Sequence, residues 1–237
     1  MKDRDAPGWE ELAQREPYFP VLTSSSVATK QFFESGESDI AALLSAIASL
    51  LGHEAPVTSA LDFGCGAGRL TIPLARRAKS VVACDVSPTI LAHVRDNVRA
   101  AGLHNVTCIE ASALPARNAR EFDFICSLLV LQYVRPARGH EIIRTLLRSP
   151  APDGIAAIQL TFERPRAAIR RLAQWTSAQW PFARRRKRNS QMPDVRLNEY
   201  QQASVQALVA RSGAQTIGIF PTGQPANSAV LVIRKAL

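Results

Sequence analysis

The sequence predicts an α/β protein built on a doubly wound sheet, and three observations carry that prediction. Short apolar runs of strand length alternate with helical periodicity from residue 60 onward. The first strand runs straight into a glycine loop, "LDFGCGAGRL" at 61–70, which opens a helix. The helix that follows the second strand has clear punctuation: Ser87 as N-cap, Pro88 at the first helical position and Gly102 as its stop.

Taken in order, the chain begins with helices at 9–15, 28–34 and 40–51, whose apolar residues recur at three- and four-residue steps. Asp39 is the expected N-cap of the third and Gly52 its stop. Strands follow at 60–63, 81–84, 106–110, 122–127, 155–161, 215–220 and 229–234. Helices at 69–77, 88–101 and 139–148, with a short turn after Leu128, separate the first five. The central strands are apolar on both faces, as parallel strands covered by helices must be. The last two strands lie close in sequence and suit a hairpin at the end of the sheet. This divides the chain into a helical lid or cap at 1–54 and a Rossmann-like domain at 55–237. A basic, amphipathic insertion at 163–194 interrupts the latter after strand five.

The charge is as localised as the fold is regular. The chain carries a formal +9, and the stretch 163–188 holds nine Arg or Lys against one Glu, so a whole-chain basic surface is excluded. At its end stand five consecutive basic residues, Arg184 to Arg188, preceded by Trp180 and Phe182. Three roles suit them: a solvated loop, peripheral contact with an anionic membrane, or nucleic-acid contact with Trp175, Trp180 or Phe182 as stacking platforms. No run of eighteen apolar residues and no apolar leader core occurs, so a cytoplasmic protein is expected. Cys65, Cys84, Cys108 and Cys126 fall in or beside strands without a CxxC pattern, which points to reduced packing residues and no metal.

Chemistry concentrates at the glycine loop. Gly64, Gly66 and Gly68 allow sharp turning and close approach of a ligand. A dinucleotide fingerprint would need glycine where Arg69 stands. Asp62 would repel a pyrophosphate but attract a cofactor bearing an ammonium and a sulfonium. Asp85, at the end of strand two, suits a ribose diol.

The loop, Asp85 with Val86 in "VSPTIL" after it, and "FDFICSLLVLQYV" at 122–134 resemble the class I S-adenosylmethionine-dependent methyltransferases. The resemblance implies a seven-stranded sheet of order 3-2-1-4-5-7-6, with Gly64 and Gly66 at the methionine part of the cofactor and Asp85 on the ribose. It puts "EASALP", 110–115, beside the adenine, with Ser112 where many members carry Asp and Ala113 offering its backbone N–H. Ser127 closes strand four, where metal-dependent members place Asp, and with Gly68 and Val86 is expected among the cofactor-binding residues.

The acceptor is less legible. The strand-end residues Tyr133 and Glu163, with His140 at the start of a helix, are the expected general bases if a hydroxyl is methylated. Tyr18, Phe19, Phe32 and Phe33, before the first strand, suit ordinary helix packing, with contact to the methionine part or the acceptor as the alternative. The nucleobase-amino stretch and the Pro-Cys nucleophile are absent, and Leu128, Val130 and Leu131 suit the rim of a small-molecule pocket. Methylation of a small-molecule or sugar hydroxyl is therefore the favoured reading. An RNA or protein methyltransferase using the basic insertion is the alternative, and a non-catalytic cofactor-binding scaffold the reading outside enzymology.

Overall fold

The computed structural model of the chain describes residues 6–18, 26–116, 121–163, 197–222 and 227–236. Apart from Glu163, the basic insertion at 163–194 and its run Arg184 to Arg188 lie outside these residues, as does Phe19.

Seven strands form one sheet: β1 (Ser59–Phe63), β2 (Ser80–Asp85), β3 (Val106–Glu110), β4 (Phe122–Ser127), β5 (Pro150–Thr161), β6 (Ala214–Pro221) and β7 (Ser228–Lys235). Their order is β3-β2-β1-β4-β5-β7-β6, as the resemblance implied. The first five pair in parallel, and β7 runs antiparallel between β5 and β6. The helices are α1 (Ala6–Arg15), α2 (Ser26–Leu51), α3 (Thr71–Ala75), α4 (Pro88–Ala100), α5 (Pro136–Arg148) and α6 (Gln202–Arg211).

Alternation along the strands sends their apolar residues to two helical layers. Leu61, Ile125 and Ile158 pack with Ile143 and Leu146 of α5 and Val205 and Leu208 of α6. On the other face Ala60, Phe124 and Val230 meet Ile40, Leu43 and Ile47 of α2 and Leu74 of α3. Beside them Ala83 packs with Ile90, Leu91 and Val94 of α4 and with Ala13 of α1. Cys65, Cys84 and Cys126 are free and buried and Cys108 is free and half-buried, as packing residues should be.

Two expectations about helices change. The helices read at 28–34 and 40–51 are one helix, α2, and Asp39 is not an N-cap. The reason is tertiary: Gly36, inside the helix, lies against the backbone of Arg69, and Asp39 pairs with the Arg69 side chain. The helix read at 69–77 shortens to α3, because Arg69 and Leu70 still belong to the loop closure. The punctuation of α4 stands: Ser87 Oγ accepts from Ile90 N at 3.1 Å, and Gly102 takes a φ of +70°. No helix among the described residues is long and apolar enough to cross a membrane.

Candidate functional site

The loop between β1 and α3 sits at the carboxyl end of the sheet, where the strand order reverses between β1 and β4 and a crevice opens. Gly64, Gly66 and Gly68 have φ of +73°, +52° and +93°, a region costly for any residue with a Cβ. At Gly64 space is lacking too, since a Cβ would stand 2.4 Å from Val130 Cγ2. The loop is pinned from below: Gly64 N and Cys65 N donate to Cys84 O at 2.7 and 3.1 Å, and Asn97 Nδ2 donates to Ala67 O at 2.9 Å.

Asp85 faces this loop. Its Oδ2 accepts from Gly66 N at 3.1 Å, and its Oδ1 from Val86 N at 2.8 Å and Ser87 N at 3.2 Å. Burial raises its pKa, and these three backbone donors oppose the rise. Asp62 turns the other way. It is 1% exposed and accepts from Thr71 Oγ1 at 2.6 Å, so it lies beneath the loop and outside the cleft. Burial pushes its pKa up to about 6, against the Thr71 bond and the charge of Arg69.

Over the loop opens a cleft of about 920 Å³, its mouth included. Gly64, Gly66, Asp85, Val86 and Ala111 line one part. Trp9, Leu12 and Glu16 of the α1 segment and Val130, Tyr133 and Ile142 line another. The Trp9 and Tyr133 rings meet edge to face with centroids 5.2 Å apart. Val130 is set by the turn after β4, where Leu129 takes a φ of +62° and donates its N–H to Gln159 Oε1 at 3.1 Å. Gln159 in turn donates to Thr222 Oγ1 at 3.3 Å, so a buried polar chain from β5 fixes the turn.

The structure brings together Gly64, Gly66, Asp85, Val86, Val130 and Tyr133 of the residues singled out in the sequence. The others stand elsewhere. Gly68 closes the loop against Thr71 and Val94. Ser112 and Ala113 are exposed, and the Ala113 N–H closes a turn onto Glu110 O at 2.9 Å; Ala111 lines the cleft in their place. Ser127 is fully buried, and its Oγ has no partner among the described residues.

Of the three expected bases only Tyr133 reaches the cleft, and burial raises the pKa of its phenol. Glu163 is exposed past the end of β5, its N–H donating to Tyr200 O at 3.1 Å. His140 packs its ring on Tyr200, 5.9 Å between centroids, and burial followed by the Arg144 charge lowers its pKa. Tyr200 Oη, bonded to Leu131 O and Val134 O at 2.9 Å each, ties the ring under His140 to the turn after β4.

For Tyr18, Phe32 and Phe33 the packing role expected from the sequence is the one observed. They pack on one another and do not line the cleft. Trp9 lines it, with Leu12, Ala13 and Glu16. These four stand at steps of three, four and seven residues, so the face was present as helical periodicity. Leu128 and Leu131 are buried in the core, leaving Val130 as the rim residue of that trio.

Residues 60–154 match the family model described as a methyltransferase domain. An uncharacterized RNA methyltransferase of Parasynechococcus marenigrum is 26% identical over 148 residues, 62% of this chain and 31% of that protein. A ubiquinone biosynthesis O-methyltransferase of Caulobacter is 32% identical over 102 residues, 41% of this chain and 38% of that one. The chain thus spans about a third of the length of these two relatives. Among solved structures, magnesium protoporphyrin IX methyltransferase from Synechocystis PCC 6803 with bound SAH superposes with a TM-score of 0.62 at 16% identity, covering 97% of this chain and 99% of that one. Mitomycin 7-O-methyltransferase gives 0.59 at 16% identity, over 95% of this chain and 60% of that one. At these identities the structural likeness shows a shared fold.

Proposed function

From the premise that the chain carries a class I S-adenosylmethionine-dependent methyltransferase domain, we propose that it transfers the methyl group of that cofactor to a hydroxyl of an apolar small molecule. The observation that carries this reading is the lining of the cleft. It joins the glycine loop and Asp85 to an aromatic and aliphatic chamber, and none of its described lining residues is Lys or Arg. A cleft that receives a polyanion such as RNA needs cations to replace the counterions it displaces. A chamber walled by Trp9, Leu12, Val130, Tyr133 and Ile142 suits a ligand that leaves water for apolar reasons.

The residues fit the cofactor. The positive-φ loop leaves backbone exposed to its methionine part, and Asp85 is turned toward the loop with oxygens that can accept from a ribose diol. When bound, the cofactor supplies a methyl group already activated by a positive sulfur. The chain's work is alignment and exclusion of water. Trp9 and Leu12 cover the cleft from the α1 side. Tyr133, its pKa raised, keeps its proton and acts as a hydrogen-bond donor that orients the acceptor. We read Glu16, rather than Glu163 or His140, as the group that takes the hydroxyl proton, because its side chain borders the chamber.

Transfer to RNA is the second reading, supported by relatives named RNA methyltransferases and by the basic run from Arg184 to Arg188. Calorimetry with S-adenosylmethionine tests the premise. Binding is expected, and Asp85→Ala should weaken it about 10- to 100-fold, the worth of charged hydrogen bonds of about 1.5–3 kcal/mol. Incubation with methyl-labelled cofactor and either total RNA or a small-molecule extract then separates the acceptors. Label in RNA, lost when Arg184 to Arg188 are neutralised, would replace the small-molecule reading.

A further inference from the structure

Resting on the apolar-acceptor reading above, we infer that Tyr200 is a positioning residue for the acceptor side of the cleft. Its hydroxyl fixes the part of the turn after β4 that carries Tyr133, while Gln159 ties the start of the same turn to the glycine loop. That turn supplies Leu129, Val130, Tyr133 and Val134 to the cleft wall. Within it Leu131–Tyr133 form a single 3-10 turn, in which Tyr133 N donates to Val130 O and Val134 N to Leu131 O, at 2.9 Å each. So short an element, with the poorer hydrogen-bond geometry of its kind, depends on what holds it from outside.

Tyr200 holds it. The residue is fully buried, and its Oη lies 2.9 Å from both Leu131 O and Val134 O, one at the first residue of the 3-10 turn and one just past its last. The hydroxyl has a single proton, which those two carbonyls share. Its place is kept open by α5, since a Cβ at Gly139 would strike the Tyr200 Oη. The backbone around Tyr200 is fixed on two sides. Tyr200 N donates to Thr161 O at 2.8 Å and Glu163 N to Tyr200 O at 3.1 Å, while Asn198 N donates to Gln132 O at 2.7 Å. Residues 198–200 thus strap the end of β5 to the turn that carries Tyr133, whose ring meets that of Trp9. Gln159 acts at the other end. It accepts from Leu129 N at 3.1 Å, and the neighbouring Val130 lies where a Cβ at Gly64 would strike it. Loss of the Tyr200 hydroxyl should therefore be felt at Tyr133, and loss of Gln159 at Val130 and the glycine loop.

Fluorine NMR of fluorotryptophan-labelled protein reads the first effect. The Trp9 signal, identified by its loss in Trp9→Phe, senses the Tyr133 ring. Calorimetry with S-adenosylhomocysteine reads the second. Tyr200→Phe keeps the ring and removes the hydroxyl. It should move the Trp9 signal toward its position in Tyr133→Leu, with S-adenosylhomocysteine affinity within about twofold of the parent's. Gly139→Ala, which displaces the hydroxyl from the α5 side, should move the signal the same way. Naphthol, an apolar hydroxyl probe followed by its own fluorescence, should bind Tyr200→Phe about two- to tenfold more weakly than the parent, the worth of one hydrogen bond. Gln159→Leu should instead lower S-adenosylhomocysteine affinity by about threefold or more, because the Leu129 N–H loses its acceptor. Tyr200→Phe decides alone if Gly139→Ala does not fold. A Trp9 signal unmoved while only the melting temperature falls would overturn the inference. So would a loss of S-adenosylhomocysteine affinity in Tyr200→Phe equal to that in Gln159→Leu. A parent that binds no naphthol would refute the apolar-acceptor reading, and one that binds no S-adenosylhomocysteine the cofactor reading; in either case the Trp9 signal still decides the role of Tyr200.

Discussion

Among the described residues two helices precede the first strand, each carries one glycine, and the two glycines stand in opposite circumstances. Gly8 of α1 is exposed, and a Cβ there would meet nothing within 4 Å. Gly36 of α2 is buried, and a Cβ there would strike the Arg69 carbonyl. The difference extends along both helices. Ile40, Leu43 and Ile47 of α2 are each 0% exposed against the sheet, and Glu37 pairs with Arg76 and Arg77 while Asp39 pairs with Arg69. Helix α1 rests on the site by a thinner set of contacts. Ala13 is its buried residue, Trp9 meets Tyr133, and Glu10 reaches the start of α4, where Ser87 Oγ donates at 2.5 Å and Thr89 Oγ1 also donates. The two helices are therefore of two kinds, one bonded to the scaffold and one lining the cleft. We propose that only the second acts as a lid.

The largest effect should fall on α2. Leu43→Ala, at a fully buried position, should cost about 2–5 kcal/mol in denaturant unfolding. Leu12→Ala on half-buried α1 should cost clearly less while altering the cleft. Equal losses would abolish the distinction between the helices.

The two glycines sharpen it. Gly36→Ala should destabilise by about 1–3 kcal/mol, because the atom it meets is backbone and cannot swing aside. Gly8→Ala should be neutral or stabilising by up to about 1 kcal/mol through helix propensity. Paired melting curves measure both signs.

The smallest effect concerns the latch of α1. Hydrogen bonds first from Ser87 and then from Thr89 hold Glu10 below its ordinary pKa of 4.5. A depressed carboxylate contributes stability above its free pKa and loses it as pH falls through the bound one. Docking of α1 should therefore be unaffected near neutrality and weaken below about pH 4.5. Trp9 fluorescence followed against pH reads this, and Glu10→Gln should flatten the profile.

Much of the fold was legible because local interactions decide it. The Ser87–Pro88 start and Gly102 stop of α4 are made by residues within a few positions of one another. The shared placement of Gly64, Gly66 and Asp85 in one cleft was legible for the same reason, since they stand at the ends of adjacent strands. Which polar side chains border the cleft was not. Glu163 and His140 have suitable chemistry at strand and helix ends, but which of several ends faces one cleft depends on turns set from afar, as Gln159 sets Leu129.

By itself the sequence determined the strand and helix order, the glycine loop and the placement of a carboxylate at the end of β2, all consequences of periodicity and of backbone geometry near each residue. Only the tertiary structure decided that one helix runs on through Gly36, that Asp62 turns under the loop and not into the cleft, and that Trp9 and Glu16 border the site. Each of those outcomes depends on a partner roughly 10 to 120 residues away along the chain, Thr71 for Asp62, Arg69 for Gly36 and Tyr133 for Trp9, and packing alone brings such partners into contact.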